Sequence, residues 1–178
     1  MRRIAVAVAA VLLGCSDQVP TTMPALQVGE VSNAKRAIAK NYTAPLSGGE
    51  EVPANDSRSR GNAVFQLSAD GGSLSYKLIV ANLENLHMAH IHRAAAGQNG
   101  SVVVWLYPED GPPPQLIEGH TSGVLAEGVI TTDDLVGPLA GATLDDLLAD
   151  MNAGLTYVNV HTQAFPGGEI RGQIRPGG

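Results

Sequence analysis

The sequence predicts an all-β domain of antiparallel strands, a sandwich or a barrel, with one short helix. Three observations predict it. The chain has 21 Gly and 11 Pro while aromatic residues make up 4%, a turn-rich composition that suits many short strands. From Tyr42 onward, short apolar or alternating runs are separated by turn residues at intervals of roughly ten. Only one segment has helical periodicity. The 178 residues allow one domain plus an extra segment. Hydrophobic residues at 44% and charged residues at 16% exclude wholesale disorder, and no apolar run reaches the roughly 18 residues of a spanning helix.

The first element is a processing segment. Met1-Arg2-Arg3 followed by apolar Ile4 to Gly14 has the charge and length of a secretory signal. Its end, Leu12-Leu13-Gly14-Cys15, resembles the bacterial lipobox, which implies cleavage after residue 14 and lipidation of Cys15, the only cysteine. No internal disulfide can then form. Loss of Arg2 and Arg3 leaves 9 basic against 17 acidic side chains, so acyl chains rather than basic patches would hold the protein at a membrane. The resemblance, with Ser16 after the cysteine, implies the bacterial cell envelope and the outer membrane, facing periplasm or exterior. Residues 15–41 mix Pro20, Pro24 and scattered charge and read as the lipidated cysteine and a tether, with a helical turn at Ala34 to Lys40. Residues 42–178 form the domain.

Within it, Thr43 to Leu46 reads as a first edge strand. Asn62 to Leu67 and Ser73 to Val80 flank Asp70-Gly71-Gly72 and read as a hairpin. In its second strand Leu74, Tyr76, Leu78 and Val80 share one face, while Ser75, Lys77 and Ile79 fall on the wet one. Further strands are expected at His87 to Arg93, Ser101 to Tyr107, Gly123 to Glu127, Leu155 to Thr162 and Glu169 to Arg175. The helix is signalled by the box Thr143-x-x-Asp146 and by Leu144, Leu147, Leu148 and Met151 on one stripe before Asn152-Ala153-Gly154. That stripe should cover the sheets.

His90-Ile91-His92 carries the most chemistry. Alternate strand residues project to one face about 6.5–7 Å apart, so two imidazoles can converge on one ion. Downstream, Tyr157, Asn159 and His161 share a face of their strand. If the two strands are neighbours, three imidazoles meet. Such a set suits copper, with zinc as the second choice, and a nearby thioether such as Met88 would favour Cu(I). His87 and Met88 are further candidate ligands, while His120 reads as surface. Free imidazole basicity predicts that protons displace the metal between about pH 5 and 7. No carboxylate is expected near the pair, since Glu109 and Asp110 lie at a solvated loop tip beside Pro112-Pro113-Pro114. A net charge of −6 with scattered Lys and Arg excludes a nucleic-acid footprint.

Ala89-His90-Ile91-His92 followed by Gly97, Gly100 and the apolar Val102 to Leu106, the run Leu155 to Thr162, and Pro166-Gly167-Gly168-Glu169-Ile170-Arg171-Gly172-Gln173-Ile174, in this order, resemble the CHRD domain. Leu46-Ser47-Gly48 and Glu51-Val52-Pro53 resemble its opening. The resemblance spans about 42–175. It implies a Greek-key β-sandwich, immunoglobulin-like or superoxide-dismutase-like, and marks His90, His92 and His161 as motif positions. Three functions follow as expectations. The first is a lipid-anchored metal-binding protein for copper storage, transfer or buffering; the second is an interaction module for an envelope or extracellular protein. The third is a superoxide-dismutase-like redox enzyme, although the bridging histidine, zinc loop and disulfide of that enzyme have no counterparts here. No catalytic residue is assigned, and Arg171 is expected to pair with an acidic side chain across strands.

Overall fold

The computed structural model describes residues 38–177. Cys15, the signal segment and nearly all of the expected tether, with the turn at 34–37, lie outside the described residues. Eight strands and one α-helix follow in chain order: β1 (Asn41–Ser47), β2 (Arg60–Leu67), β3 (Leu74–Arg93), β4 (Ser101–Tyr107), β5 (Ile117–Ile130), α1 (Leu144–Asn152), β6 (Thr156–Thr162), β7 (Ile170–Gln173) and β8 (Arg175–Pro176). All pairings are antiparallel. Among the described residues no helix is long and apolar enough to cross a membrane.

β3 determines the architecture. Its first half pairs with β2 and β5, and its second half pairs with β4 and β6. The expected strands Ser73–Val80 and His87–Arg93 are therefore one bent strand. The bend falls at Asn82 and Asn85, whose φ angles are 63° and 51°, a conformation that asparagine tolerates better than most side chains. Because β3 passes from one layer to the other, and β1 touches β7 through Ser47↔Arg171, pairing runs β2-β1-β7-β6-β3 and back to β2. The molecule is thus a closed five-strand barrel, flanked by β4 and β5, and not specifically the Greek-key sandwich expected from the resemblance. Closure also removes the expected edge: β1 is paired with β2 along its length and with β7 and β8 on its other side.

The alternation read from the sequence sets the core. Leu74, Tyr76, Leu78 and Val80 are all buried, while Ser75, Lys77 and Ile79 are exposed. Inside the ring they meet Ala44, Leu46, Phe65, Ile91, Val158, Val160 and Ile170. Helix α1 forms as its box predicts, with Thr143 and Asp146 capping each other's backbone N–H groups, and buries Leu144, Leu147, Leu148 and Met151. β5 is longer than expected, and the last expected strand divides at Ile174 into β7 and β8. The domain also begins earlier than residue 42: Ile38 and Ala39 pack on the core, and the Ala39 N–H donates to Asn152 at 3.3 Å.

Candidate metal centre

β6 is buried along its whole length. One face, Val158 and Val160, belongs to the apolar core; the other carries Tyr157, Asn159 and His161, and all three are buried as well. On the neighbours the same outer face presents His90 and His92 from β3 and Arg171 and Gln173 from β7, through the pairs His90↔Asn159, His92↔Tyr157 and Asn159↔Arg171. A polar layer therefore lies outside the barrel wall. Three loops cover it, at residues 48–59, 94–100 and 163–168, and they are tied down by side chains. Asn99 donates to the Val52 carbonyl at 2.8 Å, Gln173 to the Ala94 carbonyl at 3.0 Å, and Asn55 to the Glu169 carbonyl at 3.1 Å.

In this layer His90, His92 and His161 each offer a ligand atom, all within 4.8 Å of one another. Ring centroids are 5.4 Å apart for His90 and His92, 5.1 Å for His90 and His161, and 6.1 Å for His92 and His161. Two hydrogen bonds fix the tautomers. His92 Nδ1 lies 3.0 Å from the Gly100 carbonyl, and His161 Nδ1 lies 3.0 Å from the Pro166 carbonyl. A carbonyl only accepts, so each Nδ1 bears the proton and each Nε2 keeps its lone pair for an ion, the outer-shell arrangement common among metal-bound histidines. His90 Nδ1 stands 3.2 Å from His161 Nε2. Two ligand bonds of about 2.0–2.1 Å at a tetrahedral angle would set their nitrogens about 3.3 Å apart. The Nε2 atoms of His90 and His92 are buried and have no partner among the described residues, which is costly for a polar group unless something satisfies it.

Burial keeps the imidazoles neutral. It pulls the pKa of His90 down to about 3, assisted by repulsion from His161, His92 and His87, and that of His161 down to about 4. His92 is lowered too, by burial and then by the Arg171 charge, against the carbonyl bond that favours its protonated form. Free imidazole basicity, on which the expected displacement between pH 5 and 7 rests, therefore does not hold here: protons compete at His161 and His90 only near pH 4 and 3, because the folded site is less basic than free imidazole.

Several neighbours were not foreseen. Tyr157 stacks on His92 with centroids 4.8 Å apart and planes 7° apart, and the Arg171 guanidinium sits 3.4 Å from the Tyr157 ring centre. Among the described residues Arg171 makes no salt bridge, contrary to expectation. It donates to Asn99 Oδ1 at 3.1 Å and to the Gln98 carbonyl at 2.8 Å. Trp105 of β4 packs edge-to-face with His90 at 4.2 Å. Carboxylates are also nearer than expected. Asn159 donates to both Glu51 oxygens at 3.2 and 3.1 Å, and Glu169 accepts from Ser57, Ser59 and Thr162, each at 2.7 Å. Burial raises the Glu51 pKa to about 7 in spite of Arg171 and Asn159. The usable signal was parity: Glu169, Arg171 and Gln173 alternate with Ile170 and Ile174, continuing the polar face of β6 onto β7. His120 is on the surface as expected, 3.1 Å from Glu84. His87 and Met88 are half-buried beside the trio but outside the group of converging ligand atoms.

A model of the CHRD domain matches residues 42–174. The chain belongs to the CHRD domain family. No curated protein and no solved structure matches it. In this CHRD domain the fold brings side by side the three segments on which the resemblance rests: the strand carrying His90 and His92, the strand carrying His161, and the turn and strand from Pro166 to Gln173.

Proposed function

We propose that this CHRD protein binds one transition-metal ion through His90, His92 and His161, copper in preference to zinc, for storage, transfer or buffering. It would do so at the bacterial cell envelope, held by lipid on Cys15. The observation that supports it is the convergence of three imidazole ligand atoms within 4.8 Å in a buried layer. Two of them have their far nitrogens tied to carbonyls. Neutral imidazole suits copper and zinc, and copper(II) heads the affinity order of divalent ions for nitrogen sites. Without metal, His161 Nε2 is an acceptor, so His90 Nδ1 donates to it across 3.2 Å; an ion entering between them would bind His90 at Nδ1, and the proton displaced from there would move to Nε2 of the same ring, keeping the imidazole neutral.

The protein carries its own reporter, since the single tryptophan, Trp105, touches His90 at 4.2 Å. Adding Cu(II) at pH 7 should quench its fluorescence to an end point at one equivalent, with elemental analysis giving the same stoichiometry. His90→Ala and His161→Ala should each weaken binding by about 100-fold or more. Quenching that fails to saturate, or that survives in both variants, would refute the site. For the anchor, Cys15→Ala should move the protein from the membrane fraction to the soluble one; retention on membranes would refute it.

A further inference from the structure

A bulge in β3 brings a fourth imidazole to the same side of the wall. Leu86 faces Thr162 and Met88 faces His161, with a register shift between them, so β3 spends two residues where β6 spends one. Burial confirms the extra residue. The core-facing positions are Leu86, Ala89 and Ile91, all 0% exposed, and the first step is three residues long, not two. His87 and Met88 both leave the core side, although simple alternation would have pointed His87 inward. The His87 ring lies 6.3 Å from that of His161, comparable to the 6.1 Å between His92 and His161.

What distinguishes His87 is its freedom. His90 and His161 are 3% and 5% exposed, and His92 and His161 are tied to carbonyls. His87 is half-buried, and among the described residues no hydrogen bond holds its ring. Its backbone, by contrast, is fixed, the carbonyl accepting from the Gln115 N–H at 3.1 Å. A ring that can turn on a rigid hinge at the rim of a buried site can reach an ion in solvent and then face the ligands within.

We propose that His87 is the entry ligand of this centre: it takes Cu(II) from solvent, passes it to His161 and its two partners, and is not part of the final ligand set. The inference rests on the metal-binding function proposed above. An entry ligand speeds filling and emptying equally, because the end states are unchanged.

The test uses the 178-residue chain, with His87→Ala and the bulkier polar His87→Gln as variants, folding being checked by circular dichroism. Loading with Cu(II)–glycine is followed by stopped-flow Trp105 fluorescence, release by transfer to a chelator, and affinity by competition at equilibrium. Both variants should load and release about tenfold more slowly than the wild type, a rate effect of the size single interface changes produce. Their affinity should stay within about threefold and their Cu(II) spin-resonance spectrum should match the wild type. Loading at the wild-type rate would overturn the inference and leave the site intact. An affinity loss of about tenfold with a changed spectrum would also overturn it, making His87 a resident ligand. A wild type that binds no copper would instead remove the underlying site.

Discussion

Glu51 is a carboxylate whose charge the fold resists. Burial raises its pKa from the ordinary 4.5 to about 7, outweighing Arg171 and the Asn159 bond. The folded state therefore holds a proton between these values that the unfolded chain has released. The stability this contributes is full below about 4.5 and is lost as pH rises through about 7. Glu51→Gln keeps one acceptor for Asn159 and has no charge to desolvate. Its melting temperature should match the wild type at pH 5 and exceed it by about 3 °C at pH 8; a gap that does not grow with pH would refute this assignment. Gly168 guards the same pair. Its φ is +131°, and a Cβ there would lie 2.5 Å from Asn159 Nδ2 and 2.7 Å from Glu51 Oε1. Gly168→Ala should cost about 2 kcal/mol or more in urea unfolding, and a cost near zero would mean the loop moves away freely.

Among the elements, the helix and the bulged strand differ in how much they owe to local sequence. Thr143→Ala removes the cap that accepts from the Asp146 N–H and should cost about 1 kcal/mol. Leu148→Ala, at a side chain with 0% exposure, should cost about 2–5 kcal/mol. Denaturant midpoints for the two variants check the order; equal losses would place α1 outside the cooperative core. Because the box and the apolar stripe both lie within nine residues, the helix was legible in the sequence almost to its ends. The β2–β3 hairpin was legible for the same reason, its turn and alternation being local. β3 was not. Asn82 to Asn85 read as a break between strands, and only pairing to β5 and β6 holds that segment extended through the bend. The His-x-His spacing and the parity of His161 gave the three candidate ligands that the fold brings together, since parity survives wherever a strand is regular. At the bulge parity fails by one, so alternation alone could not place His87 on the side of the trio. The cover of the polar layer was invisible because Glu51, Asn55 and Asn99 reach it from loops distant in the chain.

At the scale of the whole molecule, two buried zones lie on opposite sides of one wall, and they respond differently to acid. Among the described residues the apolar core inside the ring holds no histidine or carboxylate for acid to protonate, whereas the polar layer holds imidazoles whose folded pKa values, about 3 for His90 and about 4 for His161, lie below the ordinary 6.5. As pH falls below about 6.5 the unfolded chain takes up protons that the folded site refuses. The stability due to these neutral rings is thus present above pH 6.5 and is lost as pH falls through about 4 and then 3. Each refused proton contributes a slope of about 1.4 kcal/mol per pH unit. Glu51 works the opposite way over this range, gaining stability as it takes up its proton, so metal-free protein should melt at progressively lower temperature between pH 6.5 and 4 by the excess of two imidazoles over one carboxyl, and His90→Gln with His161→Gln, which removes both groups, should abolish or reverse that slope. Copper acts in the same direction at higher pH, since an ion bound only to the folded state at about 100 times its dissociation constant adds about 2.7 kcal/mol. The copper-dependent rise in melting temperature should therefore persist at pH 5 and collapse near pH 4, where protons begin to compete at His161. Calorimetry with and without one equivalent of Cu(II) across this range decides it: a copper shift that vanishes already at pH 6, the behaviour of solvent-exposed imidazoles, would mean that the three rings are not held in the dry layer that the fold builds around them.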